Sequence, residues 1–450
     1  VTIFTGTFVD TPENPLTGGS LRADGDVALL VVDGVIVRRG SPAQIRADHP
    51  DEPVEDLREG LVLPGFVDTH VHYPQVRTIG ALGMPLLDWL ERSALPEEAR
   101  LADDAYAAQI AGEFVGGLAR GGTTTALVFG SHFPGAVDAL FTEADRVGLR
   151  VTSGLVVSDR ILRPDLHTDP QRAYDESRRL VERWHGVGHI RFAVIPRFSL
   201  SCTDDLLSTC GDLLRDIPDL WFTTHLNENL AEIAAVTGLF GGSPHYLDTY
   251  ARHGLVGRRS VFAHNVHPTD AELDDLASAD ATVSHCPTSN AALGSGLFPL
   301  RAHLRAGVRV ALGSDVGAGT GFTLFKEGLQ AYFMQQLLGE RGHPLTAPDL
   351  LHLATRAGAE ALGLDDVVGD FSVGKAFDAL WVNPEPGSTM DVALRHAFSA
   401  EDALAKAFAL GTSPSVAAVW VDGRRIERWV GASGTDPGRA SQPPAASTLS

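Results

Sequence analysis

Cysteine, lysine and long apolar runs are all scarce in this chain of 450 residues, and each shortage closes off a class of function. The three cysteines, Cys202, Cys210 and Cys286, have neither the number nor the spacing of a disulfide framework or a cysteine zinc site. They read as small buried side chains in a protein of the reducing cytoplasm. No two of them lie three apart, so the zinc plan of enzymes that edit nucleic-acid bases, His-x-Glu followed by Pro-Cys-x-x-Cys, is missing. No run approaches the roughly eighteen apolar residues of a membrane span. Val1 to Phe8 also lacks the basic start and apolar core of a secretory leader. A soluble globular protein is expected. Positive charge is short as well: 36 Lys and Arg against 57 Asp and Glu leave a formal net charge of −21. Such a surface repels nucleic acid and anionic membrane, so neither is an expected partner, and a small neutral substrate fits better. The glycine-rich Gly317-Ala318-Gly319-Thr320-Gly321 has neither the lysine of a P-loop nor the spacing of a dinucleotide fingerprint, and it reads as a flexible loop.

What the chain does have is a repeated alternation. Residues 1–63 hold short strand-like runs, among them Val27 to Val32 and Val35 to Arg38 around the hairpin signal Asp33-Gly34. From Leu61 onward, eight short apolar runs alternate with amphipathic stretches. The runs are Leu61 to Val67, Thr123 to Phe129, Arg150 to Val156 and Arg191 to Pro196, then Trp221 to His225, Ser260 to His264, Ala281 to His285 and Val308 to Gly313. Asp104 to Leu118, Ala136 to Val147, Gln171 to Trp184 and Thr269 to Leu276 have the length of crossover helices. Strand and helix repeated eight times predict an α/β fold, a closed (β/α)8 TIM-type barrel, over 64–365. Pro85 to Arg92 is helical in pattern and reads either as a lid or as an ordinary core-facing helix. β signals return in Gly369 to Lys375, Ala379 to Val382 and Ala417 to Val421, so 1–63 and 366–430 are expected to build one small β-rich domain. The last stretch, 431–450, is rich in Ser, Ala, Gly and Pro and reads as a disordered tail.

Working residues of such barrels sit at the C-terminal ends of the strands. The first run leads to His70 and His72, two residues apart and therefore on one face of a strand. A close pair of histidines also occurs in surface turns, so remote partners decide. The fifth run gives His225, the sixth His264, and the eighth leads to Asp315 in Gly313-Ser314-Asp315. Three imidazoles and a carboxylate suit one zinc or ferrous ion with a position open to water. His70, His72, His225 and Asp315 are assigned as ligands. His264 is placed beside the bound water or substrate, with direct ligation left open. A metal lowers the pKa of bound water from 15.7 toward about 7, and Asp315 would accept the proton. Glu228, three residues after His225, would donate a proton to a substrate ring nitrogen, making the adjacent carbon electrophilic; alternatively it is a helix N-terminal acid stabilised by the dipole.

These residues resemble the amidohydrolase superfamily. The resemblance is carried by Pro64 through Gln75 (PGFVDTHVHYPQ), Pro196-Arg197-Phe198-Ser199, His225-Leu226-Asn227-Glu228-Asn229 with Glu232, Ala263-His264, His285-Cys286-Pro287-Thr288-Ser289-Asn290 and Gly313 through Gly317. Tyr73-Pro74-Gln75, Arg197-Phe198 and Glu228-Asn229 with Glu232 point within it to a branch acting on guanine. The resemblance implies that Gln75 and Arg197 hydrogen-bond the purine's edge and that Phe198 packs on its ring. It also implies that attack of hydroxide at C2 releases ammonia and leaves xanthine, and that the enzyme is a homodimer. His285 and Asn290 either line the pocket or tie down the loop after the seventh strand, and they stay outside the catalytic set. Two-metal relatives bridge their ions with a carboxylated lysine from the fourth strand. The only lysines here are Lys326, Lys375 and Lys406, all beyond the eighth run, so one metal per chain is expected. Two readings compete: a related deaminase or dechlorinase acting on another purine, a pyrimidine or a triazine, and a metal-free scaffold of the same fold.

Overall fold

The computed structural model describes residues 1–426, so the tail expected at 431–450 lies outside the described residues. Eight parallel strands form the main sheet, in the order of the chain. They are β1 (Phe66–His72), β2 (Thr123–Phe129), β3 (Arg150–Ser153), β4 (Ile190–Pro196), β5 (Trp221–Leu226), β6 (Ser260–His264), β7 (Thr282–His285) and β8 (Arg309–Leu312). A short strand, Val156–Val157, adds to β4. The two ends of the sheet meet. The Thr69 hydroxyl donates to the Leu312 carbonyl at 2.9 Å, and the Asp315 N–H donates to the His70 carbonyl at 2.8 Å. Helices such as Asp104–Gly121, Pro134–Val147, Pro170–Trp184 and Asp270–Ser278 run between strands. The barrel expected from the sequence is therefore present.

The first apolar run was expected to be one barrel strand, Leu61 to Val67, and it is two. Leu61 to Pro64 end a long strand, Val54–Pro64, that belongs to another sheet, and β1 begins at Phe66. Gly65 is the joint. A Cβ there would lie 2.2 Å from the Thr124 hydroxyl, so only glycine lets β2 approach so closely. The histidines consequently lie within the strand rather than after it.

The second sheet has seven strands and interleaves both chain ends. Val54–Pro64 runs parallel to Thr2–Asp10 on one side and antiparallel to Ala379–Val382 on the other. The Asp33-Gly34 turn joins Arg22–Val32 to Val35–Gly40 with both central residues at positive φ, 48° and 86°, as a type I′ hairpin demands. Gly369 to Lys375 was read as strand but is a turn. Gly369 and Gly374 sit at φ 97° and 98°, and pairing is confined to a single bridge from Ala376 to Val35. The C-terminal part also holds two helices, Thr389–Arg395 and Ala400–Leu410.

Buried ion pairs fasten this sheet to the barrel. Arg150 at the start of β3 donates through Nε to Asp378 at 2.9 Å and also binds Asp422. His189 lies 2.6 Å from Asp422. In a separate group Arg22 pairs with Asp10 within the second sheet, while Lys375 and Arg356 both pair with Asp370. All three cysteines are free and buried, as expected of small filler. Among the described residues, no helix is long and apolar enough to cross a membrane.

Candidate metal and active site

The ends of β1, β4, β5, β6 and β8 and the turns after them converge on one open cleft of about 330 Å³. His70 and His72 project from β1 with their Nε2 atoms 3.1 Å apart, and His225 Nε2 from β5 lies 3.3 Å from His72 Nε2. Asp315 Oδ1 sits 3.3 Å from His70 Nε2 and 3.2 Å from His72 Nε2. His70, His72 and His225 form one group with metal-ligating geometry, and His70, His264 and Asp315 form a second. The chain achieves this by turning abruptly at the strand ends. Asn227, His264, Asn265 and Asp315 all adopt positive φ, between 47° and 71°, a costly conformation for residues with a side chain. Asp68 helps to hold the last of these turns, accepting from the Ser314 N–H at 3.0 Å and its hydroxyl at 2.5 Å. Burial raises the Asp68 carboxyl to about 6 despite these bonds.

The donors are prepared for a cation. Burial lowers His70, His72 and His225, His72 to about 3, so all three are neutral and offer a lone pair. The Nδ1 of His225 donates to the Arg197 carbonyl at 2.7 Å, and the Nδ1 of His264 donates to Asn290 Oδ1 at 3.0 Å, leaving each Nε2 as the free base. His264 Nε2 is buried and has no hydrogen-bond partner among the described residues. An orphaned lone pair beside three imidazoles and a carboxylate fits a metal ion. Burial works to raise Asp315, but the bonds to His70 and His72 outweigh it and hold this acid well below its usual range.

Glu228 follows β5 and stops just short of the helix Leu230–Leu239. Glu228 stands just before the N-cap of that helix, whose capping box is made by Asn229 and Glu232. Glu232 also accepts from the Glu228 N–H at 3.1 Å. The Glu228 carboxyl is thereby freed for the cleft, with Oε2 3.5 Å from His264 Nε2 and Oε1 3.4 Å from the Ser295 hydroxyl. Burial, and then the charge of Asp315, push it well above the ordinary carboxyl range, which favours the protonated form.

Gln75, Arg197 and Phe198 line the same cleft. The segment read as lid or core helix is a wall of the site: Leu86, Trp89 and Leu90 are buried and face it, on a helix that passes through one π turn at Leu90–Ala94. The loop after Asp315 is buried rather than loose. A Cβ on Gly317 would lie 2.3 Å from the Gln75 carbonyl oxygen, and Ala318 lines the cleft. Asn290 orients His264, whereas His285 stacks on Phe298 at 4.2 Å and leaves both ring nitrogens without partners.

Glu98 is the site residue that sequence reasoning missed. It lies in Leu95–Ala99, is 2% exposed, and accepts from Arg197 Nη1 at 2.8 Å and from Gln75 Nε2 at 2.7 Å. No motif marks it; it is one of two adjacent acids in Pro96-Glu97-Glu98, a pattern that ordinarily faces water.

Comparison with known proteins agrees with the geometry. The model of the Amidohydrolase family matches residues 61–426. The chain is 60% identical to a probable guanine deaminase of Deinococcus radiodurans, covering 94% of this chain and 97% of that one. The solved structure of E. coli guanine deaminase superposes with a TM-score of 0.91 at 37% identity, covering 95% of this chain and 99% of that one. A guanine deaminase from C. acetobutylicum with guanine bound in its active site gives a TM-score of 0.87 at 28% identity, covering 94% and 99%. Matching the family over its barrel and in the strand that joins the second sheet to it, this chain belongs to the amidohydrolases.

Proposed function

We propose that this chain hydrolyses guanine to xanthine and ammonia. The observation that carries the reading is Glu228, a carboxyl buried 3.5 Å from His264 in a cleft that also holds a full set of metal donors and an arginine for a carbonyl edge. His70, His72, His225 and Asp315 would hold one divalent ion, zinc in the first instance with ferrous iron as the alternative, and His264 stands next to them. When bound, such an ion supplies Lewis acidity that makes water a nucleophile at neutral pH.

The chain's own groups do the rest. Arg197 donates to the carbonyl at C6 and Gln75 accepts through Oε1 from an N–H of the same edge, which turns C2 toward the histidines. Phe198 packs on the flat ring, and Leu86, Trp89 and Leu90 keep bulk water out. Glu228 protonates the ring nitrogen beside C2, so that this carbon accepts a nucleophile. Asp315, ionised, takes the proton that the attacking water gives up. Asp315 then passes its proton to the amino group, the C2–N bond breaks and ammonia leaves, while ionised Glu228 takes back a proton from the C2 hydroxyl as the xanthine carbonyl forms.

A cytoplasmic homodimer completes the proposal. The three unpaired cysteines fit the compartment, and the exposed Phe333 and Leu337, one turn apart on the helix Leu324–Leu337, offer apolar surface to a second copy. The deciding experiment incubates purified, metal-analysed protein with guanine, adenine, 8-oxoguanine, cytosine and amino-triazines and follows ammonia. Release from guanine at the highest kcat/KM is expected. Preference for a triazine or pyrimidine, or no turnover by metal-loaded protein, would overturn the reading.

A further inference from the structure

We propose that Glu98 is a positioning residue, which presets Arg197 and Gln75 to receive the purine edge. This rests on the reading above and deepens it. Both carboxylate oxygens of Glu98 accept from Arg197 Nη1 at 2.8 Å, and Oε1 accepts from Gln75 Nε2 at 2.7 Å. The groups it gathers come from separate strand ends: Gln75 follows β1 and Arg197 follows β4, while His132, whose Nδ1 lies 3.7 Å away, follows β2. Glu98 itself comes from the segment whose earlier residues form the cleft wall.

Donor accounting gives the contact its meaning. Arg197 has five N–H groups in a rigid fork, and the two on Nη1 go to Glu98. Nε and Nη2 have no partner among the described residues, and the side chain lines the cleft. The guanidinium is therefore held by one end with its remaining donors available to a carbonyl. The Gln75 amide is fixed in the same way. Its Nε2 lies 2.7 Å from Glu98 Oε1 and 3.2 Å from His72 Nδ1, and its Oε1 accepts from the Gly317 N–H at 3.2 Å with a lone pair left for the purine, so its two ends cannot exchange. A buried carboxylate also balances the one cation in the cleft lining, and without it Arg197 would face an uncompensated burial cost. Because Glu98 touches two edge-binding groups and no ligand candidate, its loss should weaken substrate binding with little effect on the chemical step.

Glu98→Gln keeps the size of the side chain but forces an amide N–H toward Arg197 or Gln75. The expected result is a KM for guanine raised about 10- to 100-fold, because a hydrogen bond to charged groups is lost. In the same variant kcat falls by less than about threefold, and metal per chain equals that of the wild type. Preference for guanine over 2-aminopurine, which lacks the C6 carbonyl, shrinks by a similar factor. Glu98→Asp, which keeps the charge one methylene back, recovers part of the loss. A KM unchanged in both variants, or a loss confined to kcat or to metal content, would overturn the inference. Should Glu98→Gln prove insoluble, Glu98→Asp decides alone by the same KM criterion. Wild-type protein that releases no ammonia from guanine would remove the parent reading and this one together. Active wild type with indifferent variants removes only this one.

Discussion

Buried charge is found at two places in this fold, the mouth of the barrel and the seam with the second sheet, and it is balanced in opposite ways. At the seam, acids meet bases directly: Arg150 with Asp378 and Asp422, and Lys375 and Arg356 with Asp370. Burial works to raise Asp370 and Asp422, but Lys375 and Ser372 at the first, and His189 and Arg150 at the second, outweigh it and keep both below the ordinary range. At the mouth the groups are left wanting. Glu228 is driven up, three histidines are driven down, and one imidazole nitrogen has no partner. Only Glu98 and Arg197 reproduce there the pairing found at the seam. A fully paired cluster serves stability, whereas an unbalanced one makes sense with a cation and a polar substrate in place.

The comparison breaks most visibly if the mouth needs no cation. Chelation followed by desalting should abolish ammonia release from guanine, and one equivalent of zinc or ferrous iron per chain should restore it. Two tightly held equivalents in active protein would contradict the single-ion assignment. Next in size, Glu228→Gln should lower kcat by about 10²- to 10⁴-fold with metal content retained, since a proton donor is lost and no ligand is touched. Its Tm should not fall, because an amide of the same size replaces a carboxyl whose burial already favours the neutral form, and a clear drop would mean that Glu228 serves the fold.

The seam should respond the other way. Asp378→Ala leaves Arg150 without its main partner and should cost about 3–5 kcal/mol of stability, read from denaturant unfolding, with kcat on guanine close to wild type. The smallest effect is in acid. A carboxyl whose folded pKa lies below its unfolded value, about 3.9, contributes stability that is complete above that value and is lost as pH falls through the folded pKa. For Asp370 and Asp422 this means that Tm should decline below about pH 4. Asp370→Asn, lower in Tm at neutral pH, should lose less over the same interval, and a parallel decline would show that Asp370 does not carry the dependence.

The sequence made the mouth legible wherever chain direction alone decides what is near what. His70 and His72 stood out because they end an apolar run at strand spacing, and His225, His264 and Asp315 followed from the ends of later runs. Arg197, Phe198 and Gln75 are ordinary residues in ordinary places, and only the resemblance to a family singled them out. Glu98 was beyond reach for a physical reason: its burial exists only because Arg197, 99 residues later, folds against it. The same limit applied to the fold. A run of apolar residues does not say where one sheet hands over to another, so the break at Gly65 was missed, and Gly369 to Lys375 has strand-like residues but glycines that the backbone uses for turning.

Gly65 is also why the two sheets are mechanically one object. Val54–Pro64 and β1 are separated by a single residue, and that residue is wedged against Thr124 with its N–H bonded to the Asp378 carbonyl at 3.0 Å. Only Gly65 stands between the outer-sheet strand and the strand that carries His70 and His72, so a shift of the one would bear directly on the other. Trimming the chain termini for expression would therefore loosen the anchor of the first barrel strand, and an apparently remote truncation should be felt where the metal donors stand.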